Sequence, residues 1–208
     1  PAIFTDEPQF TPKQPLNFAA EQTDIFLPWT RALPEIYEET YHENLLEHLP
    51  ELFWELPEGK LSAVRWRFEN LVTDLFVKTY CRKIGDWCRE HNLYLTGHVM
   101  GEGSLSDQTQ AVGDAMRCYR AFVLPGIDML CDFHEYTTAK QTASIVHQNG
   151  AEGMLSELYG VTGWDYDFRG YKLQGDWQAA LGVTVRVPHL AWMTMKGEAK
   201  RDYPASIS

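Results

Sequence analysis

Between Leu93 and Met195 a short apolar run alternates four times with a polar stretch of helical spacing. The runs are LYLTGHVM, GIDMLCDF, GMLSELYG and VPHLAWMTM, each of strand rather than helix length and followed by a polar cluster. A fifth run opens the chain and breaks off at Asp6-Glu7-Pro8, because the residue before a proline is pushed out of helical geometry. The pattern predicts strands at Ala2–Thr5, Leu93–Met100, Ile127–Phe133, Gly153–Leu158 and His189–Met195. Strands separated by helices form a parallel sheet with right-handed crossovers.

The intervening stretches carry helix signals. From Arg65 to His91, Phe68, Leu71, Val72, Leu75, Phe76, Ile84 and Trp87 follow the i, i+3, i+4 rule. Asp107 with Gln110, and Thr138 with Gln141, have the spacing of a capping box. Gly150 and Gly182 stand where helices end in a left-handed residue. Leu173, Trp177, Ala180 and Leu181 predict an apolar stripe on the last helix. Residues 11–60, punctuated by Pro12, Pro15, Pro28, Pro34, Pro50 and Pro57, read as an insertion over the C-terminal face, with short helices around Glu35 to His48.

These elements predict an α/β fold of the (β/α)8 TIM-barrel type, as one domain over residues 1–208. A closed barrel needs eight strands and the pattern supplies five, so the expectation is a partial barrel completed by the remainder of a longer chain. An open sheet built around a phosphate loop is the alternative architecture, but no GxGxxG or Walker pattern occurs. The GEGS stretch at Gly101 lacks the third glycine and sets an acid, Glu102, between the first two.

Charge narrows the partners. A net charge of −11 argues against nucleic acid and anionic membrane surfaces, both of which favour basic patches. No apolar run reaches the roughly 18 to 20 residues needed to cross a bilayer. The chain begins at Pro1 without an initiator methionine or signal peptide, which suggests excision from something longer. Cys81, Cys88, Cys118 and Cys131 show no CxxC spacing and read as buried free thiols.

The candidate chemistry lies in acids at the strand ends. Glu102, Glu135, Glu157 and Glu198 stand at or just beyond the C-terminal ends of the four runs in turn, and in a parallel barrel the C-terminal strand ends form the active face. Glycoside cleavage needs one carboxylic acid to protonate the departing oxygen and one carboxylate to activate water or attack carbon. The acid must be kept protonated by burial or by a like charge nearby. Glu102, Glu135 and Glu157 are therefore the catalytic candidates, while Glu198 sits in the mixed-charge run KGEAKRD and ranks last. Asp6, Glu7, His98, His134, Trp164, Asp165 and Trp192 are candidate substrate contacts, the tryptophans as platforms for a sugar ring. No HExxH or close histidine pair gives zinc-ligand spacing, and no GxSxG elbow presents a nucleophilic serine.

The strings FTDEP, TGHVMGE, AVGDAMRCY followed by PGIDML, then SELYG, GDWQAALGV and VPHL resemble the catalytic barrel of bacterial glycoside hydrolases, nearest to the α-L-rhamnosidase-like family 106. The motifs span the chain outside residues 11–65. The resemblance implies inverting hydrolysis of an α-L-rhamnosyl or related bond, with a carbohydrate substrate, no obligatory cofactor, and a calcium ion contacting sugar hydroxyls. It makes Ala2–Thr5 the third barrel strand and His189–Met195 the seventh, so the 208 residues alone are expected to be inactive. The implied location is soluble bacterial, cytoplasmic or secreted. A barrel isomerase or lyase using carboxylates and a metal, and a non-catalytic carbohydrate-binding piece, are the alternatives.

Overall fold

The computed structural model describes residues 1–10, 13, 14, 16, 20–54, 56–130, 134–163, 165–190 and 196. Five strands pair in one all-parallel sheet in sequential order: β1 (Ala2–Thr5), β2 (Tyr94–Gly97), β3 (Leu124–Met129), β4 (Leu155–Leu158) and β5 (Val185–Pro188). Helices α1 (Leu33–Tyr41), α2 (Ala63–Phe76) and α3 (Lys83–Glu90) lie between β1 and β2. The pair α4 (Leu105–Ala111) and α5 (Ala115–Tyr119) leads to β3, and α6 (Tyr136–Asn149) and α7 (Phe168–Ala180) make the last two crossovers. This is an α/β half-barrel sheet with its helices, consistent with a partial barrel.

Three strand boundaries differ from the expectation, and one strand is displaced. Strand β2 stops at Gly97 because His98 turns out toward the strand-end rim. β3 begins earlier, at Leu124, where Thr96 and Gly97 of β2 pair with Leu124 and Pro125. β4 starts at Leu155, since Gly153 lies in the approach to the strand. The fifth strand is Val185–Pro188, paired with Leu155–Leu158, and not His189–Met195. The run TVRVP carries the β-branched residues, whereas VPHLAWMTM drew attention by its greater apolarity; residues 191–195 lie outside the described residues.

The helix between Arg65 and His91 is continuous but not uniform. A π-helical turn, Val77–Arg82, links α2 to α3 and lets the apolar stripe shift phase along the helix. Val77, Cys81 and Cys88 enter one core cluster with Leu95, Val99 and Tyr119. Val64, Phe68, Leu71 and Val72 enter a second with Leu33, Tyr37 and Leu45. The proline-rich segment thus packs its two short helical pieces, α1 and the 3₁₀ segment Leu45–Leu52, on α2. Cys81, Cys88 and Cys118 are buried free thiols as expected, and Cys131 lies outside the described residues.

The capping boxes are offset from their predicted positions. Ser104, not Asp107, caps α4 by accepting from the Asp107 N–H. Glu135 is the N-cap position of α6, and the Thr138 hydroxyl donates to its carboxylate at 2.7 Å. Gly150 ends α6 in the left-handed conformation, as predicted. On α7 the buried face is Gln174, Gly175 and Gln178, and Leu173 is 65% exposed, so the expected apolar stripe is not the inner one. The reason is a polar demand from the sheet: both glutamine amides donate to the Met129 carbonyl at the end of β3. Trp177 retains a packing role beside Val146 and Leu181.

Candidate active site at the strand ends

All five strands point the same way, so their C-terminal ends form one rim, and that rim is acidic. Asp6 and Glu7 follow β1, His98 follows β2, Asp128 and Glu157 occupy the last turns of β3 and β4, and His189 follows β5. Asp128 and Glu157 are register partners across the β3–β4 pair, which aims both side chains to the same side of the sheet.

Gly97 sets how closely the first two strands approach here. Its φ of +119° and its position leave no room for a side chain: a Cβ would lie 2.0 Å from the Thr5 carbonyl oxygen. The His98 N–H donates to that same carbonyl at 3.2 Å, which brings the imidazole beside Asp6. The ring is 1% exposed and packs edge-on against Phe4, at 5.6 Å between centroids. Its Nε2 lies 3.2 Å from an Asp6 oxygen and 3.8 Å from Asp128, and its Nδ1 lies 3.8 Å from Glu157. None of these contacts has hydrogen-bond geometry, so among the described residues both ring nitrogens are buried without a hydrogen-bond partner. Burial lowers the His98 pKa to about 4, against the opposing pull of Asp6.

The carboxyls perturb one another. Burial, and then the charges of Glu157, Glu7 and Asp6, raise the Asp128 pKa to about 7. Glu7 is raised by burial and by Asp6 beside it. Glu157 also faces His189, 4.0 Å away at Nε2.

Glu102 occupies a different environment, 6% exposed behind the rim. One carboxyl oxygen accepts from the Tyr119 phenol and the other from the Asp128 N–H at 2.9 Å. The Tyr119 oxygen in turn accepts from the Val99 N–H at 3.1 Å. Gln108 and Gln141 each donate to the Glu102 carbonyl at 3.1 Å, fixing the backbone. Burial pushes the Glu102 pKa well up and outweighs both donors, with the charges of Asp128 and Glu135 adding to the rise. Glu135 is only partly buried, and a Cβ at Gly103 would lie 3.4 Å from its carboxylate. That places it over the loop that carries Glu102.

The predicted residues therefore divide. Asp6, Glu7, His98 and Glu157 converge on one cluster, while Glu102 and Glu135 interact electrostatically beside it. His134 is exposed and stacks on Trp177 at 4.2 Å, so it sits against α7. Asp165 is exposed in the β4–α7 loop. Trp164, Trp192 and Glu198 lie outside the described residues. Asp128, Tyr119 and His189 were not among the sequence candidates. Asp128 was the most accessible to sequence reasoning, as the single acid inside the apolar run GIDML and two residues short of its end.

The cluster suits a cation. Ligand atoms of Asp6, His98 and Glu157 lie within 4.8 Å of one another, and so do those of Glu7, His98 and Asp128. Calcium would engage the carboxylates but takes oxygen ligands, which leaves the buried imidazole nitrogens unaccounted for. On that ground calcium does not fit the donor set.

No helix among the described residues is long and apolar enough to cross a membrane. No protein-family model matches the sequence, and no curated protein matches it. Among solved structures, the rhamnosidase from Novosphingobium sp. PP1Y is similar, with a TM-score of 0.62 over 78% of this chain at 17% identity. The chain spans only 16% of that protein's length. At this identity the likeness shows a shared α/β fold, a glycosidase being the protein in which that fold is found.

Proposed function

We propose that this chain supplies part of the catalytic centre of a glycoside hydrolase that cleaves an α-L-rhamnosyl or related bond with inversion. The observation that carries the reading is the pairing of two acids in opposed environments beside an acidic rim. Glu102 is buried and raised well above the usual carboxylate range, whereas Glu135 is partly exposed and accepts from Thr138. A carboxyl kept protonated by burial suits the acid, and one in contact with solvent can reach the attacking water. In this reading Glu102 donates the proton to the departing oxygen and Glu135 activates the attacking water. Glu157, with Asp6 and Glu7, holds sugar hydroxyls or completes the carboxylate set, and Trp164 and Trp192 stack on the ring. The distant rhamnosidase likeness supports a glycosidase generally.

Leaving-group dependence tests the assignment of Glu102. In the intact enzyme a Glu102→Gln variant should lose on the order of 10² to 10⁴ in turnover on a rhamnoside with a poor, alkoxide-like leaving group. It should lose far less on a dinitrophenyl rhamnoside, whose departing oxygen needs no proton. Equal losses on both substrates would remove Glu102 as the acid, and unchanged turnover of Glu135→Gln would remove Glu135 as the base. The His98-centred cluster favours a second reading, a metal-dependent isomerase or lyase, in which chelation would abolish activity and no glycoside would be cleaved.

A further inference from the structure

We infer that His98, Glu7 and Asp128 form the protein ligand set of a divalent cation that accepts nitrogen, of the zinc or cobalt kind, and not of a calcium site. Three observations support this independently of any glycosidase reading. Among the described residues neither ring nitrogen of His98, a side chain 1% exposed, has a hydrogen-bond partner, although Nε2 lies 3.2 Å from Asp6. The Asp128 Oδ1 is likewise buried without one among the described residues. Ligand atoms of Glu7, His98 and Asp128 stand within 4.8 Å of one another.

The spacing is that of donors around a shared ion. Ligands roughly 2.0–2.1 Å from a tetrahedral zinc lie about 3.3–3.5 Å from each other. The 3.8 Å between His98 Nε2 and Asp128 is too long for a hydrogen bond and within easy reach of that separation. Asp6, Glu7, Asp128 and Glu157 repel one another across the rim, and a divalent charge relieves that repulsion. The imidazole decides the class of ion, because hard cations take oxygen ligands and imidazole nitrogen suits zinc, cobalt and their neighbours. Three protein ligands leave a fourth position open to a small molecule, as in catalytic rather than structural zinc sites. The set is assembled from three separate strand ends, which is why no histidine spacing along the sequence announces it. Gly97 makes the assembly possible by letting β1, and with it Glu7, close on β2 beside His98.

Cobalt(II) titration of the metal-stripped protein, followed by its visible absorption, tests the proposal. One equivalent should bind with the bands of mixed nitrogen and oxygen coordination, zinc should displace it, and a hundredfold excess of calcium should not. His98→Gln, Glu7→Gln and Asp128→Asn should each weaken cobalt binding by at least about tenfold, with His98→Gln the most severe. Calcium displacing cobalt, undiminished binding by His98→Gln, or loss confined to Asp6→Asn and Glu157→Gln would overturn the assigned set. X-ray absorption of the zinc-loaded wild-type protein keeps the test decisive if a variant fails to fold. Imidazole scattering with a nitrogen shell near ~2.0 Å supports the site, and an oxygen-only shell or no bound zinc overturns it.

Discussion

Replacing Glu102 with glutamine removes the titratable proton of the buried carboxyl, keeps the bond from the Asp128 N–H and reverses the direction of the one to Tyr119. The amide oxygen can accept from the Asp128 N–H, and the amide nitrogen can donate to the Tyr119 oxygen, so the variant imitates the protonated acid. In the wild-type protein burial raises the folded pKa of Glu102 well above the ordinary carboxylate range. A carboxyl raised on folding contributes stability that is fully present below its unfolded pKa and lost as pH rises through the folded pKa. Between those two values the unfolded chain has released the proton and the native protein has kept it. Wild-type stability should therefore fall relative to the glutamine variant by about 1.4 kcal/mol per pH unit across that window. Urea unfolding of both proteins at pH 5, 6 and 7 measures the gap directly. Glu102→Leu provides the contrast: it leaves the phenol and the Asp128 N–H buried without an acceptor, at about 1–3 kcal/mol for each at every pH. A gap between wild type and Glu102→Gln that stays constant from pH 5 to 7 would refute the argument that burial keeps Glu102 protonated.

Two further outcomes follow from the backbone. Gly97→Ala should cost about 3–5 kcal/mol in urea unfolding, because the new Cβ meets the Thr5 carbonyl at a positive φ and neither backbone can yield without parting β1 from β2; a loss below about 1 kcal/mol would show that the approach is softer than described. Among the described residues β1 pairs on one side only, and Ile3 and Phe4 are each 37% exposed, so sedimentation velocity should show concentration-dependent association that Ile3→Lys reduces. A wild-type protein that stays monomeric across the concentration range would count against an open edge at β1.

The order of strands and helices was legible because each unit carries its own local signal, an apolar run for the sheet and a 3.6-residue spacing for the helix. Boundaries were less so. The fifth strand lies earlier than its apolar pattern predicts, because TVRVP forms it through β-branching, with charge and exposure in place of apolar length. The inner face of α7 was misread because Gln174 and Gln178 answer a carbonyl some 45 residues earlier in the chain, a demand that no helical period records. Strand-end logic brought forward Glu7, His98, Glu102 and Glu157. It passed over Asp128, which reads as an intrusion in an apolar run until its register with Glu157 is known. Tyr119 was invisible for the opposite reason: an aromatic on a short helix reads as core, and its hydroxyl matters only because Glu102 and Val99 meet it there.

The sequential strand order 1-2-3-4-5 also bears on how the chain acquires its structure. Among the described residues each strand pairs with its neighbours in sequence, so most pairings in the sheet need not wait for a distant segment to arrive. From β2 onward the closing loops are short, about thirty residues per step, and loop-closure entropy grows only slowly at that length. The step from β1 to β2 is the exception, since some ninety residues separate partners that lie side by side. Assembly should then begin among β2, β3 and β4 and spread outward, with β1 docking last against Gly97. The rim of acids would be completed in that final step, when Asp6 and Glu7 arrive beside an imidazole already in place.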